Sequence, residues 1–278
     1  MAGLDPCVSW PEEQQIASRV SLFDVRALLL DLDGTLIRGG KAIEGAVGFV
    51  AHHAGRIAIV SNNSSDSAET LSVKLRDLGF DLRPNRIFLA GVMALEHLAE
   101  ADADQRLMIL GSSDLIAQAQ TLGLVVTDVA PDAVLIARDE NFSYRKLAAA
   151  ANAIASGAKF YVSNADVYHP GAGAWRVPEA GSLMLAVMAI AGRSPDKVFG
   201  KPDGHILKKA LRRLHVPGSS AIMIGDNPLT DGLAAQNAQI RFIEVGDRVG
   251  RTVADLTFTE TGLFQRAVGA LCREDVVG

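Results

Sequence analysis

The chain has 278 residues, a formal net charge of −5, 49% hydrophobic and 21% charged residues, an ordinary globular balance that fits one large or two modest domains. With that charge and no basic stripe, a general nucleic-acid partner is not expected. Only 5% of residues are aromatic, so the core must rest on Leu, Val, Ile and Ala.

The N-terminal stretch MAGLDPCVSWPEEQQ lacks a basic segment followed by an apolar one and does not read as a secretory signal. Cys7 and Cys272 stand near opposite ends, in no metal-type or disulfide-framework spacing, so a reducing cytoplasm is the expected setting. Residues 27–30, ALLL, form a short apolar run that predicts a buried strand of a mainly parallel sheet. Asp31 and Asp33 follow at once, where open α/β sheets place ligands. Two such carboxylates repel unless a cation or a shared proton lies between them. A solvated Asp-x-Asp-Gly turn is the alternative at this point.

A second apolar run, RIAIVSNNS (56–64), predicts another strand with a polar end. Helix 67–80 follows, with Leu71, Leu75 and Leu78 on one face and Gly79 as its stop. Strands are expected within 106–114, 133–141 and 159–166, with helices over 112–123 and 143–157 between them. The stretch 180–192, AGSLMLAVMAIAG, carries no charge over 13 residues. It is too short to cross a bilayer and reads as a buried helix. Residues 204–216 predict a basic amphipathic helix with a solvated charged face, and strands follow at 221–227 and 240–245. This alternation argues for α/β architecture with a doubly wound parallel sheet. The middle of the chain holds more elements than one such sheet needs, which implies a second α/β unit inserted within the first.

Four apolar-to-polar transitions carry the chemistry: LLLDLDGT (28–35), IVSNNS (59–64), VFGKPD (198–203) and MIGDNPLTD (223–231). If three of them end neighbouring parallel strands, their polar residues meet in one crevice. The set is then Asp31, Asp33 and Asp226 as oxygen donors, Lys201 as a fixed cation, and Ser61 and Asn62 as neutral groups. Such a set suits a phosphoryl group and Mg²⁺, which prefers one or two carboxylates with waters and phosphate oxygens. Asp31 is placed to attack phosphorus as a covalent nucleophile, and Asp33 to protonate the leaving oxygen and later activate water.

DLDGT (31–35), SNNS (61–64), KP (201–202) and GDNPLTD (225–231) resemble, in order, the four motifs of the haloacid dehalogenase superfamily. DENFSYRKLAAA and EAGSLMLAV are similar to the group with a large α/β cap, which includes p-nitrophenyl phosphatases, nucleotide monophosphatases, and phosphoglycolate and pyridoxal phosphate phosphatases. The resemblance implies a Rossmann-like core over 1–83 and 181–278, with 1–20 an N-terminal extension, and an α/β cap over 84–180. It implies a Mg²⁺-dependent phosphomonoester hydrolase acting on a small phosphorylated metabolite through an aspartyl phosphate. A phosphotransferase or mutase of the same superfamily and a non-catalytic phosphometabolite-binding protein are the other readings. Asp31 would be the nucleophile and Asp33 the acid/base. Asp31, the Asp33 carbonyl and Asp226 would hold Mg²⁺. Ser61, Asn62 and Lys201 would hold the phosphate, with Asp231 and Asn227 behind them. No membrane or nucleic-acid partner is implied; a homodimer through the cap is.

The sequence departs from relatives at VPEAGS (177–182), where Glu179 replaces the first Gly of a Pro-Gly-x-Gly turn. Either Glu179 faces solvent at a helix start, favoured by the dipole, or it faces the cleft and favours a substrate with a positive group. In SNADVYHP (163–170), Asn164, Asp166 and His169 are candidates for contacting the leaving group. An ordinary polar loop is the alternative there.

Overall fold

The computed structural model describes residues 25–258 apart from 172 and 174, together with 264–265. The N-terminal extension, Cys7 and Cys272 lie outside the described residues. In chain order, β1 (Ala27–Leu30), the short pair β2 (Ile37–Arg38) and β3 (Lys41–Ala42), and α1 (Ala46–His52) lead to β4 (Ile57–Ser61). Next come α2 (Ala68–Asp77), β5 (Ile87–Leu89), α3 (Ala90–Ala101), β6 (Arg106–Leu110), α4 (Ser113–Thr121) and β7 (Val125–Val126). The middle continues with β8 (Ala133–Ile136), α5 (Tyr144–Ala155), β9 (Lys159–Val162), the hairpin β10 (Tyr168–Pro170) and β11 (Arg176–Pro178), α6 (Ala180–Ala191) and β12 (Lys197–Val198). The last third holds α7 (His205–Leu214), β13 (Ala221–Gly225), a π-helical turn Pro228–Gly232, α8 (Leu233–Ala238) and β14 (Arg241–Glu244), before the short pair β15 (Thr257–Phe258) and β16 (Phe264–Gln265).

Two five-stranded sheets organise these elements. The first has the order β14-β13-β1-β4-β5 and the second β12-β9-β8-β6-β7. Every pairing within either sheet is parallel. Both faces of the first sheet are covered, which is why β1, β4 and β13 read as unbroken apolar runs. Leu28, Leu30, Ile57, Ile59, Ile222 and Ile224 pack on one side with Phe49 and Val50 of α1 and Leu71 and Leu75 of α2. Leu29, Ala58, Val60 and Met223 pack on the other with Leu207, Ala210 and Leu211 of α7 and Ala234 and Ala235 of α8. The second sheet repeats the scheme, with α3 and α4 on one face and α5 and α6 on the other.

Helix starts follow local chemistry. Ser67, Ser112 and Ser143 each accept a hydrogen bond from a backbone N–H of the first turn of α2, α4 and α5. Gly79, in the left-handed region at φ 94°, follows the end of α2, as the stop at that position requires.

Three expectations change. The sheets exchange later than residues 84 and 180. β5, at 87–89, still pairs with β4, while α6 and β12 pack on and pair with the second sheet. The apolar α6 is not a buried helix: Ala180, Gly181 and Val187 are buried, but Leu185 and Ile190 are about half exposed. An all-apolar stretch does not say which side its neighbours cover, and here α5 and the second sheet cover one. Within the basic helix, Lys209 is buried and not solvated, because Glu96 and Glu100 of α3 meet it at 2.7 and 3.3 Å. Among the described residues no helix is long and apolar enough to cross a membrane.

Candidate active site

The ends of three neighbouring strands of the first sheet, β13, β1 and β4, deliver Asp226, Asp31 and Asn62 to one crevice. Lys201 arrives by a different route. β12 pairs with β9 of the second sheet, and the chain then turns through Gly200 to lay Lys201 over the first sheet's edge. Its side chain is 3% exposed, with Nζ 2.5 Å from Asp31 Oδ1 and 2.7 Å from Asp231 Oδ1. Burial disfavours the ammonium, but Asp231 and Asp31 outweigh it and hold Lys201 above the usual lysine range. Thr35, the last residue of DLDGT and one without a role in the sequence analysis, places Oγ1 3.5 Å from Asp31 Oδ2.

One carboxylate oxygen from each of Asp31, Asp226 and Asp231 lies within 4.8 Å of the others. Gly34, at φ +85°, brings the loop after β1 against the Asp226 carboxylate so closely that a Cβ there would overlap it. Burial, and then the charge of Asp31, push Asp226 up to about 6. A divalent cation between Asp31 and Asp226 would remove that repulsion, so the donor set fits one. Asp231 stands behind them. Its Oδ1 meets Lys201, and its Oδ2 accepts from the Asn227 N–H at 3.2 Å. Asn227 Oδ1 in turn accepts from the Leu229 N–H at 3.0 Å, fixing the turn that carries Asp231.

Asp33 opens to solvent at the cleft mouth, yet the protein atoms packed round it and the charge of Asp31 raise it to about 6. The other charges acting on it are His169, Lys201 and Glu179, so the β10–β11 hairpin comes within electrostatic range of this carboxyl. His169 Nδ1 is 2.6 Å from Glu179 Oε1, and Arg138 Nη1 is 3.5 Å from the same oxygen. Glu179 is therefore not a solvent-facing residue: its side chain is 13% exposed. Burial raises its pKa against the pull of Arg138 and His169. Arg138, at the polar end of β8, was invisible as a site residue; one arginine after an apolar strand carries no distinctive signal.

Ser61 is buried, and its Oγ accepts from the Asn63 N–H at 3.1 Å. The Asn62 side chain faces Lys201 and the second sheet. Oδ1 accepts from the Lys201 N–H at 2.7 Å, and Nδ2 donates to the Lys201 carbonyl at 3.1 Å and to Asp166 Oδ2 at 3.0 Å. Asn164 has no exposed surface, and its Nδ2 donates to the Asn62 carbonyl at 2.8 Å. Asn164 therefore faces the core loop and not a leaving group, because its amide is enclosed where the two sheets meet.

Comparison with known proteins places the chain among its relatives. A haloacid dehalogenase-like hydrolase family model matches residues 28–125, and a HAD-hydrolase-like model matches 198–259. An acid sugar phosphatase of Staphylococcus haemolyticus is 31% identical over 224 residues, covering 79% of this chain and 84% of its own. One from Staphylococcus aureus is 32% identical over 228 residues, covering 79% and 86%. Among solved structures, a 4-nitrophenylphosphatase from Thermotoga maritima superposes with a TM-score of 0.76 at 28% identity, over 80% of this chain and 87% of that one. A glycerol phosphate phosphatase from Mycobacterium tuberculosis, in complex with magnesium, gives 0.75 at 29% identity, over 80% and 68%. The chain belongs to the haloacid dehalogenase-like hydrolases.

Proposed function

We propose that this protein hydrolyses the phosphate monoester of a small sugar or polyol, with Asp31 as nucleophile. The chain is a phosphatase of its family, as the relatives named acid sugar phosphatase, 4-nitrophenylphosphatase and glycerol phosphate phosphatase support. The observation that carries the assignment of roles is the buried contact of Lys201 with Asp31 and Asp231. A lysine so held neutralises a phosphoryl group arriving at Asp31 without moving.

Asp31, backed by Thr35, attacks phosphorus, and the alkoxide leaves as Asp33 gives up its proton. Raised to about 6, Asp33 is poised near neutrality both to hold that proton and to take one from water in the second step. Water then attacks phosphorus of the aspartyl phosphate and regenerates Asp31. Ser61 and the backbone N–H groups after β4 hold the phosphate oxygens, and Lys201 balances their charge. Mg²⁺, which Asp31, Asp226 and the Asp33 carbonyl would hold, supplies charge neutralisation and orientation of the phosphate. That magnesium accompanies the Mycobacterium tuberculosis structure supports this choice of ion.

The core comprises the first sheet with its helices and the cap the second sheet, with the leaving group read by the β10–β11 hairpin. The half-exposed Leu185 and Ile190 of α6 are the surface a cap-mediated homodimer would cover. Cysteine usage supports a cytoplasmic setting. Release of phosphate from p-nitrophenyl phosphate, glycerol phosphate and a hexose phosphate, with Mg²⁺ and with a chelator, tests the reading. Metal-dependent turnover of all three supports it, and failure on every one removes it.

A further inference from the structure

We propose that Asp166 is a positioning residue for Lys201: from the second sheet it seats the lysine through the Asn62 side chain. This rests on the role given to Lys201 above.

The Asn62 amide has two N–H donors and one carbonyl, and its contacts use all of them. Oδ1 accepts from Lys201 N–H at 2.7 Å, while Nδ2 serves the Lys201 carbonyl at 3.1 Å and Asp166 Oδ2 at 3.0 Å. Both backbone groups of Lys201 are thereby held by one side chain. The two faces of an amide differ only in which atom donates. Turned over, Asn62 would set its NH₂ against the Lys201 N–H and its oxygen against both the Lys201 carbonyl and the Asp166 carboxylate. An ionised Asp166 carboxylate offers acceptors and no donor, and so penalises that wrong orientation.

The surroundings are built for this arrangement. Asn164 Oδ1 accepts from the Asp166 N–H at 3.0 Å while its Nδ2 holds the Asn62 carbonyl at 2.8 Å, closing a ring between the end of β4 and the end of β9. Gly200, at φ +76°, lets the chain pass the amide. A Cβ there would stand 2.6 Å from Asn62 Oδ1, a contact no side chain tolerates. Lys201 follows β12 of the second sheet, yet its Nζ must reach Asp31 on the first. Its backbone is therefore the point where any movement between the sheets would misplace the ammonium, and Asn62 with Asp166 ties that point down. An ångström of displacement at a catalytic group costs up to about 10²-fold in rate.

The test uses the full-length protein and the variants Asp166→Ala and Asp166→Asn. Backbone hydrogen exchange is followed by mass spectrometry over peptides spanning 199–203. Kinetics are read as kcat/KM for p-nitrophenyl phosphate, the vanadate inhibition constant, and the ratio of kcat/KM between glycerol phosphate and p-nitrophenyl phosphate. In Asp166→Ala the Lys201 amide should exchange about tenfold faster, kcat/KM on the aryl ester should fall about tenfold, and vanadate should weaken in proportion, with the substrate ratio unchanged. Asp166→Asn, whose Oδ1 still accepts from Asn62, should recover a substantial part of each. Unchanged exchange at Lys201 overturns the proposal, whatever happens to thermal stability. So does a loss confined to glycerol phosphate with vanadate unaffected, which would make Asp166 a leaving-group contact. The exchange readout does not depend on turnover, so an inactive wild-type protein would count against the phosphatase reading and leave the seating of Lys201 to be judged separately.

Discussion

Replacing Lys201 with Met keeps most of the aliphatic stem and removes one buried positive charge. Lys201 is 3% exposed, between Asp31 at 2.5 Å and Asp231 at 2.7 Å, so solvent cannot take over its role. Breaking a buried ion pair by removing one partner costs about 3–5 kcal/mol, because the remaining charge is left uncompensated. Here two carboxylates are orphaned, with Asp226 also within 4.8 Å. For a chain of this size the loss corresponds to a fall in Tm of roughly 10 °C. The orphaned carboxylates relieve their repulsion by binding protons in the folded state, so the deficit should widen between pH 5 and pH 8. Catalysis should fall by about 10²–10³ in kcat, the magnitude lost with one preorganised electrostatic group. Thermal melts at the two pH values and p-nitrophenyl phosphate turnover read both effects. A variant within tenfold of wild-type kcat, or one whose stability deficit shrinks as pH rises, would refute the reasoning.

Three further outcomes follow from the site. In the metal-free protein Asp226 and Asp33 hold protons up to about 6, against an ordinary value of 3.8. The stability these two groups contribute is therefore present at acidic pH and lost as pH rises through about 6. Mg²⁺ should raise Tm more at pH 7.5 than at pH 5, where protons compete for Asp226; an equal rise at both would contradict the assignment. Asp226→Ala should raise the Mg²⁺ requirement or abolish turnover, and a chelator should stop catalysis without unfolding the chain; full activity in excess chelator would remove the metal from the account. His169→Ala should lower kcat/KM for a sugar phosphate about tenfold, the 1.4 kcal/mol of one polar contact, and affect p-nitrophenyl phosphate much less. Glu179→Gln, which weakens the 2.6 Å contact to His169 Nδ1, should move the same ratio in the same direction; an equal loss on both substrates would give the pair a structural role instead.

Much of the core was legible because its signals are local. ALLL, IAIVS and AIMIG are apolar on both faces, as strands covered on both sides must be. Asp31, Asn62 and Asp226 sit at their ends, where parallel pairing brings them together. The route of Lys201 was not legible. It follows a two-residue strand of the second sheet, and nothing in FGKPD says which sheet that strand joins. Asp166 and Asn164 stood out as polar residues near a cleft, but whether a polar side chain faces substrate or another loop depends on packing 102–104 residues away. The exposed side of α6 was hidden for a related reason: composition reports that a helix is apolar, not how much of its circumference a neighbour occupies. Arg138 and Glu179 lie 41 positions apart in sequence and meet only because the chain past the end of β8 comes beside the residue that follows β11.

The central claim is that Asp31 itself carries the phosphoryl group. Rapid acid quench during turnover of a phosphate ester, followed by borohydride reduction, converts an aspartyl phosphate to homoserine, which peptide mass spectrometry locates. The account predicts homoserine at position 31 in the wild-type protein, more of it in Asp33→Asn, where release to water is slowed, and none in Asp31→Asn, which should not turn over. Reduction at another carboxylate, or turnover in Asp31→Asn at a tenth of the wild-type rate or more, would contradict it.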